Sequence, residues 1–503
     1  MKKQEVLSQM SLGATISEDE ARQLEKYFVN TNQWQRILAG DVDIVYGPKG
    51  SGKSAIYAML NNKKLELFDR NILIILAENP RGTPAFKDLV ADPPTTEEQF
   101  RALWKTYFLM LIGNLFKEEG IKNDEALKLV KYLEDEKLIP RDQSLSAYIK
   151  IAMDFVKRLT TPEALETEVG LNPITGTPES FKGRIILKEP SAKQSEDGIV
   201  SIDKLVSIAN LALEKEKFFA WILLDRLDVA FTENVLLEEN ALRALFKVYL
   251  DLAAFDHIKI KVFLRTDIWN RITKGGFREA SHITRHVTIS WDLQSLLNLI
   301  IRRILQNESL NKYYEIKPEE ILSDAGKQRE LFYRIYPKKV DVGDKKPETF
   351  IWMLSRTVDG IRKNAPRELI QLLSFAKDSQ LRKLEMGEGD PEGEALFVNT
   401  SIKDGLKEVS KVRLTQTLFA EYPEVREFLL KLKNQKTQQN IKALSEIWNL
   451  EYSETEKIVE ELIEIGFFEK RTSKEGETSY WVPFLYRDEL DMVQGAAETS
   501  EDQ

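Results

Sequence analysis

Over the first 290 residues, continuous apolar runs alternate with segments of helical period. The runs cover 42–46, 71–77, 218–224, 258–264 and 286–290, and Ile72-Leu73-Ile74-Ile75-Leu76 is typical. Strands that are apolar on both faces predict a parallel sheet covered on both sides by helices. Segments 97–116, 124–133 and 203–216 supply such helices, and Ser17 reads as the cap of another over 18–38, ended by Gly40. Residues 160–199 turn rich in Pro, Gly, Thr and Ser, which reads as a surface insertion. After Trp291 the strands stop, and helices are predicted over 293–306, 350–358 and 367–375, punctuated by charged Gly/Pro stretches at 338–347 and 387–393. From about Leu406 the pattern changes again: helices over 422–433, 437–448 and 453–465 precede strand-like stretches at 466–471 and 479–482. Three helices and a hairpin make a winged helix-turn-helix. The expected organisation is an α/β core over 1–292 with an insertion near 160–200, a helical lid over 293–405, a winged helix over 406–490 and a disordered tail over 491–503.

The end of the first apolar run changes this picture most. Gly47-Pro48-Lys49-Gly50-Ser51-Gly52-Lys53-Ser54 has the G-x-x-x-x-G-K-[ST] spacing of a phosphate-binding loop, with a strand before it and a helix from Ala55 after it. In that setting, backbone N–H groups curl around a phosphate at a helix N-terminus, Lys53 adds a point charge and the Ser54 hydroxyl is a ligand for Mg²⁺. The nucleotide-binding set is therefore Gly47, Pro48, Lys49, Gly50, Ser51, Gly52, Lys53, Ser54 and Ala55, and the fold is that of a P-loop NTPase. The apolar strand Phe219-Ala220-Trp221-Ile222-Leu223-Leu224 ends in Asp225, which completes the Mg²⁺ side with Ser54. Arg226 follows where many such ATPases carry a second acid. Asp228, the nearest acid, is then the candidate to orient the attacking water, with a helix cap or a partner for Arg226 as its alternative role.

Two further polar positions fall at element ends. Arg265 and Thr266 terminate the run Val262-Phe263-Leu264 and could sense a γ-phosphate, although Arg265 could equally pair with Asp267. Arg367 stands in the first turn of a helix opening at Asn364-Ala365-Pro366, where a cation is unfavourable unless an anion compensates it. Packing against Glu368 or Asp359 is the alternative. There is no Asp-x-x-Gly with a later Asn-Lys-x-Asp, which a GTPase needs, and no Leu-Ser-Gly-Gly-Gln of a transporter ATPase. ATP with Mg²⁺ is the expected cofactor pair.

Composition adds exclusions. The 503 residues leave room for about three domains, and 42% hydrophobic with 30% charged residues describe an ordinary soluble globular chain. The absence of cysteine rules out disulfides and thiolate metal sites. Of the three histidines, His282 and His286 are four apart, but Val287-Thr288-Ile289 makes their segment a strand, where they do not chelate. No apolar run is long enough to span a bilayer, so no membrane role and a cytoplasmic location are expected. A net charge of -9 and a pI near 5.4 argue against broad nucleic-acid binding.

These motifs in this order resemble the STAND/AAA+ side of the P-loop ATPases, and in particular a bacterial group carrying a C-terminal winged helix. The resemblance rests on Tyr27-Phe28-Val29-Asn30-Thr31, the Gly47 to Ser54 loop with Lys49 inside it, Leu224-Asp225-Arg226-Leu227-Asp228 and Phe263-Leu264-Arg265-Thr266-Asp267. Pro366-Arg367-Glu368 and Trp481-Val482-Pro483-Phe484-Leu485-Tyr486-Arg487 complete it. The region from Lys122 to Glu216 contributes little. The resemblance implies an ATPase core, a lid and a winged helix acting together as a nucleotide switch. Its wider class includes signal-transducing sensors, several of them in bacterial defence against phage.

Two readings of function follow, with a third behind them. The first is an ATP-driven regulatory switch whose partner is a second copy of itself or an effector protein. The second is a DNA-acting ATPase gripping duplex with its winged helix. The candidate recognition helix, Glu454 to Glu464, carries five glutamates against Lys457, and phosphates would repel it. Wing residues Lys470, Arg471 and Lys474 are less hostile, though Glu469, Glu475 and Glu477 surround them. DNA is therefore the disfavoured partner. The third reading, a nucleotide-binding structural subunit without turnover, follows from Arg226 replacing the second acid.

Overall fold

The computed structural model describes residues 1–14, 23–78, 93–140, 144–160, 185–187, 189–196, 198–227, 234–474 and 476–497. They form two compact units. One consists of Asn32–Gly47 and Lys53–Ile289; the other of Met1–Thr31, Pro48–Gly52 and Ser290–Gln503.

The first unit is built on a five-stranded sheet whose strands coincide with the five apolar runs: β1 Ile44–Gly47, β2 Ile72–Leu76, β3 Phe219–Leu224, β4 Ile258–Arg265 and β5 His286–Thr288. Their order is β2-β3-β4-β1-β5, and every neighbouring pair is parallel. Helices α1 Lys53–Asn62, α2 Glu97–Glu118, α3 Ile202–Lys215, α4 Val235–Leu252 and α5 Thr266–Lys274 belong to the same unit. α2 opens with a capping box in which Thr96 and Gln99 satisfy each other's backbone N–H groups. It is buried along most of its 22 residues, so it is a core helix rather than an amphipathic one. Its polar aromatic atoms are accounted for: Trp104 Nε1 donates to the Ala241 carbonyl at 2.9 Å and Tyr107 OH to that of Ala77 at 2.8 Å. The expected insertion lies largely outside the described residues; at its edge Ile185–Ile186 pairs in parallel with Val200–Ser201.

The second unit contains helices α6 Leu293–Leu305, α7 Pro366–Glu385 and α8 Asn399–Val412, and α7 packs on α8. Gly405 permits that approach, because a Cβ there would lie 2.8 Å from the Ala376 nitrogen and 2.9 Å from the Leu372 oxygen. The C-terminal part contains β6 Lys436–Gln439, α9 Ile441–Trp448, α10 Tyr452–Glu464, β7 Glu469–Thr472, β8 Thr478–Trp481 and β9 Val493–Ala496, in a sheet of order β9-β6-β8-β7.

Three expectations are corrected here. The helix over 18–38 is not continuous: residues 15–22 lie outside the described set, Leu24–Tyr27 and Asn32–Ala39 are separate helices, and Phe28 between them is extended at φ −67°, ψ 131°. The helix expected from Thr437 starts at Ile441. Asn440 is the cap, its side chain accepting from Ala443 N at 2.9 Å, and 436–439 are strand, with Gln438 and Gln439 paired to β8. The tail expected over 491–503 instead carries β9, which pairs in parallel with β6. No described helix is long and apolar enough to cross a membrane.

Candidate functional site

Strand β1 is buried throughout and runs between β4 and β5, with Gly47 level with Arg265. The chain then turns through 48–52 and enters α1 at Lys53. The turn closes with Ser51 N on the Pro48 carbonyl at 3.2 Å. Gly50 and Gly52 have φ of +79° and +102°, values that side-chain-bearing residues avoid and that let successive N–H groups face one concavity. Lys53 Nζ reaches back to the Gly47 carbonyl at 2.9 Å. Lys53, Ser54 and Ala55 open the helix, where backbone N–H groups have no partner within the helix and the dipole favours an anion. The Ser51 hydroxyl is buried and has no hydrogen-bond partner among the described residues. Such a loop fits a phosphate group.

Further polar groups of the first unit lie at the C-terminal ends of the strands. Asp225 directly follows β3 and is 4% exposed. Arg226, in the left-handed region at φ +56°, turns the chain away at once. Glu78, two residues beyond β2 and 1% exposed, is a second buried acid. Tyr57 of α1 donates from its OH to the Glu78 carbonyl oxygen at 2.7 Å. Burial pushes the Tyr57 phenol well above its ordinary pKa, and the charges of Asp225 and Glu78 push it the same way. Asp225 and the Ser54 hydroxyl are hard oxygen donors of the type Mg²⁺ takes. Arg265 holds Asp267 bidentately, Nε to Oδ1 at 3.1 Å and Nη2 to Oδ2 at 2.8 Å, so the salt bridge foreseen as its alternative role is formed. The adjacent Thr266 hydroxyl is buried without a hydrogen-bond partner among the described residues. Asp228 lies outside the described residues. His282 ends a short 3-10 turn and His286 is on β5, its ring centroid 5.6 Å from that of Tyr46.

Residues 48–52 belong to the second unit, and three consecutive positions of the loop are engaged there. Lys49 forms an ion pair with Glu421. Gly50 lies against Arg367, since a Cβ at Gly50 would stand 2.9 Å from the Arg367 Cβ. The Ser51 carbonyl accepts from Trp291 Nε1 at 2.8 Å. Arg367 follows Pro366 in the first turn of α7, and its Nε is buried without a hydrogen-bond partner among the described residues. Glu368 beside it is 3% exposed and accepts from Arg413 at 3.0 Å, while its other oxygen has no such partner. Asp359 lies in the same charged cluster; burial raises its pKa and Arg413 opposes the rise. Glu78 and Glu421 were not singled out by sequence pattern. The acid closing β2 was a usable signal for Glu78; Glu421 is 372 residues from its partner and had none.

No family model matches the chain. It is 23% identical over 430 residues to the putative transposon gamma-delta 80.3 kDa protein of Escherichia coli (strain K12). That match covers 82% of this chain and 52% of the other, so the chain spans about half the length of this curated relative. Among solved structures, a Walker-type ATPase of Pyrococcus abyssi is similar with a TM-score of 0.37 and 11% identity, over 92% of this chain and 96% of that one. The Aeropyrum pernix ORC2 protein in ADPNP–ADP complexes gives a TM-score of 0.31 and 12% identity, over 94% and 92%. At these values the likenesses carry no argument, and the reading of the site rests on its own geometry.

Proposed function

We propose that this chain is an ATP-binding, Mg²⁺-dependent P-loop ATPase that works as a regulatory switch of the STAND/AAA+ type. The observation carrying the reading is the loop itself: β1, two left-handed glycines, Lys53 folded onto Gly47 and the start of α1, with Asp225 at the end of β3. Ser54 and Asp225 would hold Mg²⁺, which supplies charge neutralisation of the phosphates when bound. Residues 293–405 act as a lid and 406–490 as a winged helix that transmits nucleotide state to a second copy or an effector protein. A role in bacterial defence against phage and a cytoplasmic location complete the reading by resemblance alone.

Arg367 is the γ-phosphate reader of the lid in this scheme, supported by its first-turn position, its contact with Gly50 and its unpartnered Nε. The test is phosphate release by the full chain with Mg²⁺ and ATP, coupled to small-angle scattering. The protein is expected to be more compact with a non-hydrolysable ATP analogue than with ADP, and Arg367→Ala is expected to erase the difference. Identical shapes in both nucleotide states of the wild type would reject the switch and favour a structural subunit. Against the DNA-acting alternative, Arg471 of the wing is held within the protein, paired with Glu469 at 2.9 Å and stacked 4.1 Å from the Trp481 ring centroid, with Glu469 shared by Arg362.

A further inference from the structure

We propose that the second unit carries an effector pocket, a cavity that takes a small monoanion with an apolar body and, when filled, tightens ATP at the phosphate loop. The coupling to ATP rests on the reading above; the pocket does not. The cavity has a volume of about 400 Å³, within the ~300–1,000 Å³ of clefts that hold drug-sized molecules. Much of its lining is apolar: Leu414 and Leu490 are buried there, and Phe419 and the part-exposed Leu430 stand beside them. The charged lining groups are Arg426, Lys433 and Glu489. Lys433 is neutralised by Asp491 at 3.3 Å. Arg426 has no ion-pair partner among the described residues; its guanidinium carbon lies 5.5 Å from the Phe419 ring centroid. Glu489, whose backbone N donates to Ser410 Oγ at 3.1 Å, has no ion-pair partner among them either. The apolar lining receives the body of a ligand, Arg426 its anionic head, and Glu489 repels a second negative charge.

One wall of the cavity is tied to the phosphate loop at both ends. α8 runs on into a π-helix, Arg413–Leu418, and then into Phe419–Glu421; π-turns are rare and recur at functional sites. Leu414, Thr415, Phe419 and Ala420 of this segment line the cavity. Arg413, just before them, donates to Glu368 Oε1 at 3.0 Å, and Glu368 Oε2 lies 3.5 Å from where a Gly50 Cβ would stand. Glu421, just after them, forms the ion pair with Lys49. All of these residues belong to the second unit. The Arg413–Glu368 pair is buried on both sides, so breaking it is costly, whereas the Lys49–Glu421 pair is partly exposed and weaker. A ligand seated against Phe419 and Ala420 therefore displaces the Glu421 end first and releases Lys49 to the phosphates. By reciprocity, ATP tightens the ligand by the same factor.

The probe is anilinonaphthalene sulfonate, an apolar body with one negative charge, titrated into the folded full chain by fluorescence and calorimetry. One saturable site per chain is expected. The neutral phenylnaphthylamine, the same rings without the sulfonate, should bind about fivefold more weakly, the upper range for an exposed ion pair. Arg426→Gln should erase that difference, and Glu489→Gln should tighten the sulfonate by up to about fivefold. Leu430→Glu, at a part-exposed position, should weaken it by about tenfold through lost apolar contact and added repulsion. Equal affinity for the two probes in the wild type, or wild-type binding in Leu430→Glu, overturns the pocket. Displacement of the probe by decanoate assigns an acyl body, and displacement by naphthalene sulfonate alone an aryl one; displacement by neither overturns the ligand class. With the probe saturating, Mg·ATP is expected to bind about fivefold tighter, the low end of measured couplings, and Glu421→Gln to lose the response. ATP binding indifferent to the probe overturns the coupling and leaves the nucleotide reading standing. A wild-type chain that binds no ATP rejects that reading and the coupling together.

Discussion

At the N-terminal end of β1, Asp43 is enclosed by groups that match it. Its Oδ1 accepts from Lys261 Nζ at 2.8 Å, and its Oδ2 from Arg285 Nε at 2.7 Å and Tyr249 OH at 3.2 Å. Lys261 also donates to the Val42 carbonyl at 2.6 Å and lies 4.3 Å from the Trp221 ring centroid. Lys261 pays for its burial with a lowered pKa, opposed by Asp43. At the C-terminal end the arrangement is different: Asp225 and Glu78 are buried just beyond the ends of the neighbouring strands β3 and β2, the Thr266 hydroxyl is buried without a partner among the described residues, and the phosphate loop follows β1 directly. A buried ionic cluster whose hydrogen bonds close on themselves supports structure. One that gathers acids at strand ends beside a helix N-terminus is arranged for something to bind.

The comparison can be broken from either end. The largest effect is expected from Lys53→Ala, which removes the side-chain cation folded onto Gly47 and should abolish ATP binding in calorimetry while leaving the melting temperature close to wild type. Retained affinity would detach nucleotide chemistry from this end of the sheet. Asp43→Ala at the opposite end should do the reverse. Breaking a buried pair leaves Lys261 uncompensated, at a cost of about 3–5 kcal/mol in denaturant unfolding, with the nucleotide affinity of the folded fraction unchanged. A stable Asp43→Ala protein would show that the enclosure is not structural.

Asp225→Ala is expected to lower Mg²⁺-dependent phosphate release by about 100-fold, near 2.7 kcal/mol in the barrier, with only a small change in stability. Equal loss of fold and activity would erase the distinction between the two ends. The smallest effect concerns the loop tip: a triphosphate competes with Glu421 for Lys49, so Glu421→Gln should tighten ATP over ADP by up to about fivefold, the upper range for a partly exposed ion pair. An unchanged ATP-to-ADP affinity ratio would mean that Lys49 does not exchange between the two.

Much of the site was legible because its parts are contiguous. The loop's glycines, Lys53 and Ser54 sit within eight residues, and the local φ requirements at Gly50 and Gly52 are met only by glycine. The acid ending β3 was legible for the same reason: an apolar run announces the strand, and the residue after it lies at the strand's end. Gln438 and Gln439 failed as a helix because their partners, Trp481 and Tyr480 on β8, are some forty residues away and outweigh local propensity. Arg265 had two open roles, and only the side-chain geometry chose Asp267.

By itself, then, the chain determined five strands, the helices between them and a phosphate loop at the end of the first, because periodicity and turn conformation act over a few residues. Tertiary structure alone decided which strand ends are neighbours. Nothing near Glu78 in sequence marks it as different from any acid closing a strand; the pairing of Leu76 with Leu223 makes the strand end it follows a neighbour of the one that Asp225 follows. Lys49 and Glu421 met in the same way, across 372 residues. Charges interact through space over a few ångströms, so the chemistry of a buried carboxylate is set by its neighbours in the fold and not by those in the chain.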